Sequence, residues 1–263
     1  MSKNYILDRT LGFLPLNTSW VPSVRFLLRR NRFFHLKSTF LHKPHILEVG
    51  PGGGTILAEL SLQGHMCTYI EQSIDAQELM IKHFSFLPAA PSHYDNEKHG
   101  LADALVALDV LEHIEDDEKA IRYWASMVKP EGFLCLSVPC HQRKWSRGDE
   151  WAGHYRRYEK AQLINLLNRT GLTIEHMECY GFPLANITEF VGRFYYRTQG
   201  SNLTKQEASS RSGVSRNMYS RLSPFMRSFL FKTIIQLFYF LQGCFKNFDI
   251  GSGYIVIVTK SKK

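Results

Sequence analysis

From His45 onward the chain alternates short apolar runs with longer stretches of helical period. The runs His45–Val49 (HILEV), Cys67–Glu71 (CTYIE), Ala102–Asp109 (ADALVALD) and Phe133–Pro139 (FLCLSVP) read as strands. Between them, helices are predicted over Thr55–Gln63, stopped by Gly64, around Asp75–Phe84, and over Asp116–Lys129, where Ala120, Ile121, Trp124, Met127 and Val128 share the buried side and KPEGF ends the period. A further helix over Glu159–Gly171 precedes a weakly alternating strand, Leu172–Cys179, and the C-terminal GYIVIVTKSKK is a clear strand. Strands and helices taking turns in this way predict a mainly parallel sheet covered by helices on both faces.

Two stretches depart from the rhythm. Residues 1–44 are basic and aromatic; Phe26, Leu27, Arg29, Arg30, Phe33, Phe34 and Leu36 fall at helical intervals, which predicts one or two helices ahead of the core domain, 45–263. Residues 181–246 hold an apolar segment, a Ser/Arg/Gly-rich stretch and the run FMRSFLFKTIIQLFYFLQGCF, read as a helical cap inserted before the last strand. In that run Ser228, Lys232, Gln236, Tyr239 and Gly243 recur at helical spacing and form one polar stripe. Arg227 and Lys232 oppose a transmembrane reading, so the helix at 225–245 is expected to lie on the protein's own core, on an acyl-like substrate or on a bilayer surface.

A hydrophobic fraction of 44% over 263 residues supports one elaborated domain, and a formal charge of +8 suits an anionic substrate, nucleic acid or membrane surface without choosing among them. The five cysteines are scattered, with no C-x-x-C pair, and read as reduced thiols of a cytoplasmic protein. Asp8 and Arg9 interrupt what a signal peptide would need as apolar, so export is not expected. The reading is of a cytoplasmic protein, with the 225–245 helix offering contact with the inner face of a membrane.

The chemistry starts at the turn VGPGGGT after the first core strand. A dinucleotide fingerprint needs a third glycine where Thr55 stands, no P-loop Lys-Ser/Thr pair follows, and Glu48 brings negative charge to the turn. The turn is suited to a ligand carrying positive charge. The pattern Glu48, Gly50, Gly52, Gly54 resembles motif I of the class I S-adenosylmethionine-dependent methyltransferases, whose glycines let backbone approach the methionyl part. ALDVLEHIEDD resembles the family's segment after its fourth strand and VKPEGFLCLSVP its later turn and fifth strand. The resemblance covers about residues 45 to 180 and the final strand. It implies a Rossmann-like α/β fold with an antiparallel last strand, S-adenosyl-L-methionine as cofactor, Glu71 on the ribose hydroxyls, and Asp109 on the cofactor side with Glu48 and the glycines. The family's adenine-contacting acid has no convincing counterpart; Asp95 stands near by sequence alone.

The acceptor side is expected in HQRKWSRGDEWAGHYRRY, which follows the fifth strand at the edge where open α/β sheets bind ligands. GDEWAGHYRRY resembles a segment of small-molecule methyltransferases associated with glycan, lipid or natural-product pathways. His154 is the candidate general base, with His113 a weaker second; Trp145, Tyr155, Arg156 and Tyr158 are the candidate acceptor contacts. The alternative for Arg156 and Tyr158 is a structural clamp between the sheet edge and the next helix. Asp109, Glu112 and His113 form D-x-x-E-H, similar to the E-x-x-E-H metal ligands of some O-methyltransferases, but the first ligand differs and no metal is expected. The expected activity is O- or N-methylation of a small acceptor, anionic or hydrophobic, sugar- or lipid-linked. An RNA or protein methyltransferase is the alternative enzyme, although no nucleic-acid module is recognisable, and a non-catalytic nucleotide-binding scaffold on the same fold is the alternative of another class. The oligomeric state is left open.

Overall fold

In the computed structural model, which describes residues 5–16, 19–40, 45–87, 99–196, 203–214 and 221–260, the apolar runs lie side by side in one sheet. The chain opens with a hairpin of β1 (Tyr5–Asp8) and β2 (Gly12–Pro15), followed by helix α1 (Val24–Phe40). The core follows as β3 (His45–Val49), α2 (Thr55–Leu62), β4 (Met66–Ile70), α3 (Ile74–His83), β5 (Ala102–Leu108), α4 (Asp117–Ser126), β6 (Val128–Pro139), α5 (Arg147–Ala152), α6 (Lys160–Arg169) and β7 (Leu172–Tyr180). Helices α7 (Leu184–Tyr196), α8 (Lys205–Val214), α9 (Ser223–Arg227) and α10 (Phe229–Phe245) precede the last strand, β8 (Gly253–Lys260). The six core strands run in the order β4-β3-β5-β6-β8-β7, parallel except for β8, which is antiparallel to both neighbours. This is the Rossmann-like arrangement with an antiparallel last strand.

β5 and most of β8 are buried on both faces, as parallel-sheet centres are when helices cover them. One apolar cluster joins β5, β6 and β8 to Ile121, Trp124, Leu163 and Leu167 of α4 and α6; another, on the opposite face, joins Ile46, Val106 and Ile255 to Phe33 of α1 and Leu57 of α2. Asp116 caps α4, its side chain accepting from the Lys119 amide, and the period ends earlier than the pattern predicted because β6 already begins at Val128.

The N-terminal stretch corrects a purely helical expectation. Asp8 turns the chain into a hairpin by accepting hydrogen bonds from the Thr10 and Leu11 amides at 2.9 and 3.0 Å, a local side-chain bond that competes with helix. The basic residues of α1 are turned inward: Arg30 bonds both oxygens of Glu59, Arg32 both oxygens of Glu178, and Arg25 and Arg29 pair with Asp109. Much of the charge in this stretch therefore neutralises buried carboxylates, the arrangement that buried charge requires.

Helix α10 is amphipathic in an inverted sense. Its polar stripe faces the protein: Lys232 pairs with Asp8, Gln236 donates to Thr10 Oγ1, Tyr239 donates to the Thr10 carbonyl, and buried Gln242 bonds the Leu28 carbonyl, Asn31 and the Gly181 amide. Phe231 and Ile235 accompany that stripe inward, while Phe229 (85% exposed), Leu230 (60%), Leu237 (56%) and Phe240 (70%) face outward. Among the described residues no helix is long and apolar enough to cross a membrane.

Candidate active site

A cavity of about 730 Å³ opens where the carboxyl ends of β3, β4 and β5 meet. Its floor is the glycine turn. Gly50, Gly52 and Gly54 all have positive φ, and a Cβ on Gly50 would come within 2.8 Å of Val110. The Gly52 amide donates to Glu71 Oε2 at 2.9 Å and the Ser73 amide to Oε1 at 2.8 Å, so the acid ending β4 is locked to the turn while both oxygens keep acceptor capacity toward the cavity. Gly50, Gly52 and Glu71, expected as cofactor contacts, line the cavity. Gly54 does not; it caps α2 from the left-handed region and packs on Met80.

Glu48 also needs correction. It is buried and absent from the cavity lining, its Oε2 makes no hydrogen bond, and burial raises its pKa to about 8. A carboxyl desolvated in this way is protonated near neutral pH, so it does not offer negative charge to a ligand. Asp109 reaches the cavity with positive φ, but its carboxylate is spent on Arg29 at 2.5 Å, Arg25 at 3.4 Å and the Ser137 hydroxyl at 2.9 Å. Burial alone would raise its pKa; the two guanidiniums outweigh it and hold the carboxyl well below the usual range. Asp109 thus anchors α1 over the cavity rather than serving as a free cofactor ligand. Asp95 lies outside the described residues, and so does most of the segment that would carry an adenine-contacting acid.

The opposite wall is a histidine pair. The rings of His113 and His154 meet edge to face, 4.7 Å apart at 82°. His154 Nδ1 hydrogen-bonds Asp149 Oδ1 at 2.9 Å, and Arg157 Nε donates to the same oxygen at 2.8 Å. Asp149 is buried within the first turn of α5, fixed by a capping box with Ser146. Burial would raise its pKa, but the bond to His154 and the charge of Arg157 hold it well below the usual range. An ionised Asp149 accepts a hydrogen bond from Nδ1–H, so Nε2 is the nitrogen that can act as acceptor toward the cavity. That nitrogen lies 3.9 Å from Glu112 Oε1. Glu112 is fully buried with both oxygens unpartnered, and burial, reinforced by Asp109, pushes its pKa far up. His113 is pushed down to about 3 by burial and by His154, so it is a neutral ring. Glu112, His113 and His154 each offer a ligand atom within 4.8 Å of the others and could hold a divalent ion, whereas Asp109, committed to two arginines, does not complete the D-x-x-E-H set.

Of the expected acceptor contacts, only Tyr155 lines the cavity. Arg156 pairs with Asp117 at 2.5 Å and donates to the Glu115 carbonyl, and the buried Tyr158 hydroxyl donates to Asp117 at 3.0 Å. Both clamp the loop to the start of α4, which is the structural alternative. Trp145 sits after a short 3-10 turn, also outside the lining. The walls the sequence did not reveal come from outside the loop: Trp20, Arg25, Phe26 and Arg29 from the N-terminal segment, Tyr123 from α4, and Gln206, Ser209 and Ser210 from α8. Arg25 and Arg29 were legible as charge; only the fold brings them to Asp109.

A family model described as "Methyltransferase domain" matches residues 25–177. A ubiquinone biosynthesis O-methyltransferase of Rickettsia prowazekii (strain Madrid E) is 32% identical over 119 residues, 41% of this chain and 46% of that protein. The Chromobacterium violaceum (strain ATCC 12472) protein of the same name is 29% identical over 101 residues, 35% of this chain and 43% of its own. The chain therefore spans less than half the length of these curated relatives. Among solved structures, the [4+2]-cyclase SpnF superposes with a TM-score of 0.55 at 15% identity, covering 96% of this chain and 87% of that one. Coclaurine N-methyltransferase bound to N-methylheliamine and SAH superposes at 0.53 and 12% identity, covering 88% and 72%. At such identities these likenesses show the fold alone.

Proposed function

The chain belongs to the methyltransferase-domain family, and on that premise we propose that it transfers a methyl group from S-adenosylmethionine to a hydroxyl or amine of a small acceptor. The observation that carries this reading is the cavity itself: a glycine turn locked to Glu71 on one side, and on the other a histidine whose Nε2 is left as an acceptor by Asp149. The turn and Glu71 hold the cofactor, which supplies an electrophilic methyl on a sulfonium. His154 takes the proton of a hydroxyl as its oxygen attacks in line, or frees an amine from its ammonium before the nitrogen attacks; the methyl–sulfur bond breaks as the new bond forms and the neutral thioether leaves, while His113 packs the base in place. Helix α8 and the Trp20–Arg29 segment form walls of the cavity, and a walled cavity of this size favours a small molecule over RNA or a protein loop. Relatives named for ubiquinone biosynthesis support an O-linked, apolar acceptor.

The acceptor's source is in keeping with the outward face of α10. We propose that this face rests on an anionic bilayer: its polar side is satisfied by the protein, Phe229, Leu230, Leu237 and Phe240 are left to an apolar medium, Arg221 and Lys246 bracket α9 and α10 in sequence, and the chain carries +8 overall.

A screen of membrane and soluble metabolite extracts with methyl-labelled S-adenosylmethionine tests the activity. Label is expected in a small, apolar or anionic hydroxylated product; label in RNA or protein alone would overturn the reading. The unpartnered oxygens of Glu112 favour one rival, in which Glu112, His113 and His154 bind a divalent ion and Nε2 is a ligand rather than a base. Turnover is expected to survive chelation; loss restored by magnesium or manganese would establish the rival.

A further inference from the structure

Behind the loop that carries His154, the end of β6 and the end of β7 bring three metal-ligating side chains together, and the turn before β8 sets a carboxylate beside one of them. Cys140 and Cys179 are buried with their sulfurs 4.0 Å apart, and the ligand atoms of Cys140, His141 and Cys179 all lie within 4.8 Å of one another. His141 is buried, held at φ +63°, and its Nε2 makes no hydrogen bond. Asp249 Oδ1 stands 3.5 Å from that nitrogen. None of these residues lines the active-site cavity.

Two of the edges can be compared with a tetrahedral zinc site; Asp249, whose Oδ1 also accepts from the Tyr254 hydroxyl at 2.5 Å, would turn toward the ion to complete it. With Zn–S about 2.3 Å and Zn–N and Zn–O about 2.0 to 2.1 Å, tetrahedral angles set the S···S edge near about 3.8 Å and the N···O edge near about 3.3 Å. The observed edges are 4.0 and 3.5 Å. A disulfide would need the sulfurs to close to about 2.05 Å. The surroundings also suit thiolates. The Gly251 amide donates to Cys179 Sγ at 3.1 Å, the type of outer bond that steadies a metal-bound sulfur. Cys140 donates its S–H to the Gly251 carbonyl at 3.3 Å, and Lys144 Nζ donates to the same oxygen, so that carbonyl keeps a partner when the thiol loses its proton. Glu159 lies 3.6 Å from His141 Nδ1, as an outer carboxylate orienting a metal-bound imidazole would. Asp249, the most exposed of the four, gives the ion a way in.

We propose that Cys140, His141, Cys179 and Asp249 form a zinc site. Two thiolates, one imidazole and one carboxylate are a donor set that selects zinc over magnesium or calcium, and four protein ligands leave no open position, so the ion is structural. On binding, each thiol releases a proton to solvent and no redox change occurs. The ion ties the ends of β6 and β7 to the turn before β8, directly behind the His154 loop.

Titration of the whole 263-residue chain, freed of metal, with cobalt(II) as a spectroscopic stand-in tests this. One equivalent is expected to give the visible bands of tetrahedral cobalt and a thiolate-to-metal charge-transfer band, both bleached by zinc. The Glu112, His113 and His154 group contains no sulfur and cannot produce the charge-transfer band. Cys179→Ser should weaken that band and Cys140→Ser with Cys179→Ser should lose it, and Asp249→Asn, a change at the exposed ligand, should weaken zinc binding by about tenfold or more while the fold is retained. Absence of the band in the parent chain, or its persistence at full strength in folded Cys140→Ser with Cys179→Ser, would overturn the proposal.

Discussion

His154 is useful only because Asp149 is where it is. The histidine sits after the left-handed Gly153, and Asp149, one helical turn earlier, receives both its Nδ1 and Arg157. His154→Ala should lower the rate constant by about 10²- to 10⁴-fold, the usual contribution of a positioned base, and leave S-adenosylhomocysteine affinity unchanged. Asp149→Asn should shift the pH profile as well as the rate, because an amide no longer dictates which nitrogen carries the proton; an unchanged profile would reduce Asp149 to a cap. Glu48 supports a different measurement. Its folded pKa of about 8 lies above its unfolded value, so the folded state holds the extra proton between the two, and stability contributed below the lower value is lost as pH rises toward the upper. Glu48→Gln should therefore gain melting temperature relative to the parent as pH rises from about 5 to about 8, with no gain at the acid end. A constant difference would show that Glu48 ionises freely. The sequence revealed Glu48, Glu71 and the glycines as a group, because a turn needing positive φ has few residue choices. It did not reveal which acid faces the ligand, since that depends on which side of β3 the pleat turns Glu48 toward.

At the scale of elements, the core was legible and its attachments were not. Strands β3 to β8 and helices α2, α3, α4 and α6 announce themselves by period and by glycine stops, and their boundaries moved by only a few residues, whereas α5 falls in a stretch that reads as a polar loop. The β1–β2 hairpin was hidden because its strands are four residues each and its turn rests on one side chain, Asp8. Helix α10 showed its polar stripe in sequence, yet amphipathicity does not say which side faces in. Here Asp8, Thr10 and Asn31 supply polar partners on the inside, and the apolar side is left out. Two outward positions test its role. Leu237→Glu with Phe240→Glu should abolish flotation with vesicles containing phosphatidylglycerol and leave the melting temperature within a few degrees, because neither side chain packs on the core. A parent chain that fails to float, or that forms a dimer broken by the same two changes, would contradict the bilayer reading.

At the scale of the whole molecule, the net charge of +8 did not say where individual charges go: Arg25, Arg29, Arg30 and Arg32 are committed to buried acids. They draw α1 across the sheet and make the N-terminal segment a wall of the cavity, while α8 brings Gln206, Ser209 and Ser210 from far along the chain. Such walls cannot be read from local pattern, since they depend on pairings far apart in sequence, such as Arg25 and Arg29 with Asp109 and Arg32 with Glu178. The enclosure they form is built around the glycine turn, so occupancy of that turn is the most direct test. Isothermal calorimetry with S-adenosylhomocysteine is expected to show one site of micromolar-scale affinity, lost in Gly52→Val, whose added carbons would fill the cavity floor beside Glu71. Binding of NAD with no heat from S-adenosylhomocysteine, or equal affinity in parent and Gly52→Val, would contradict it.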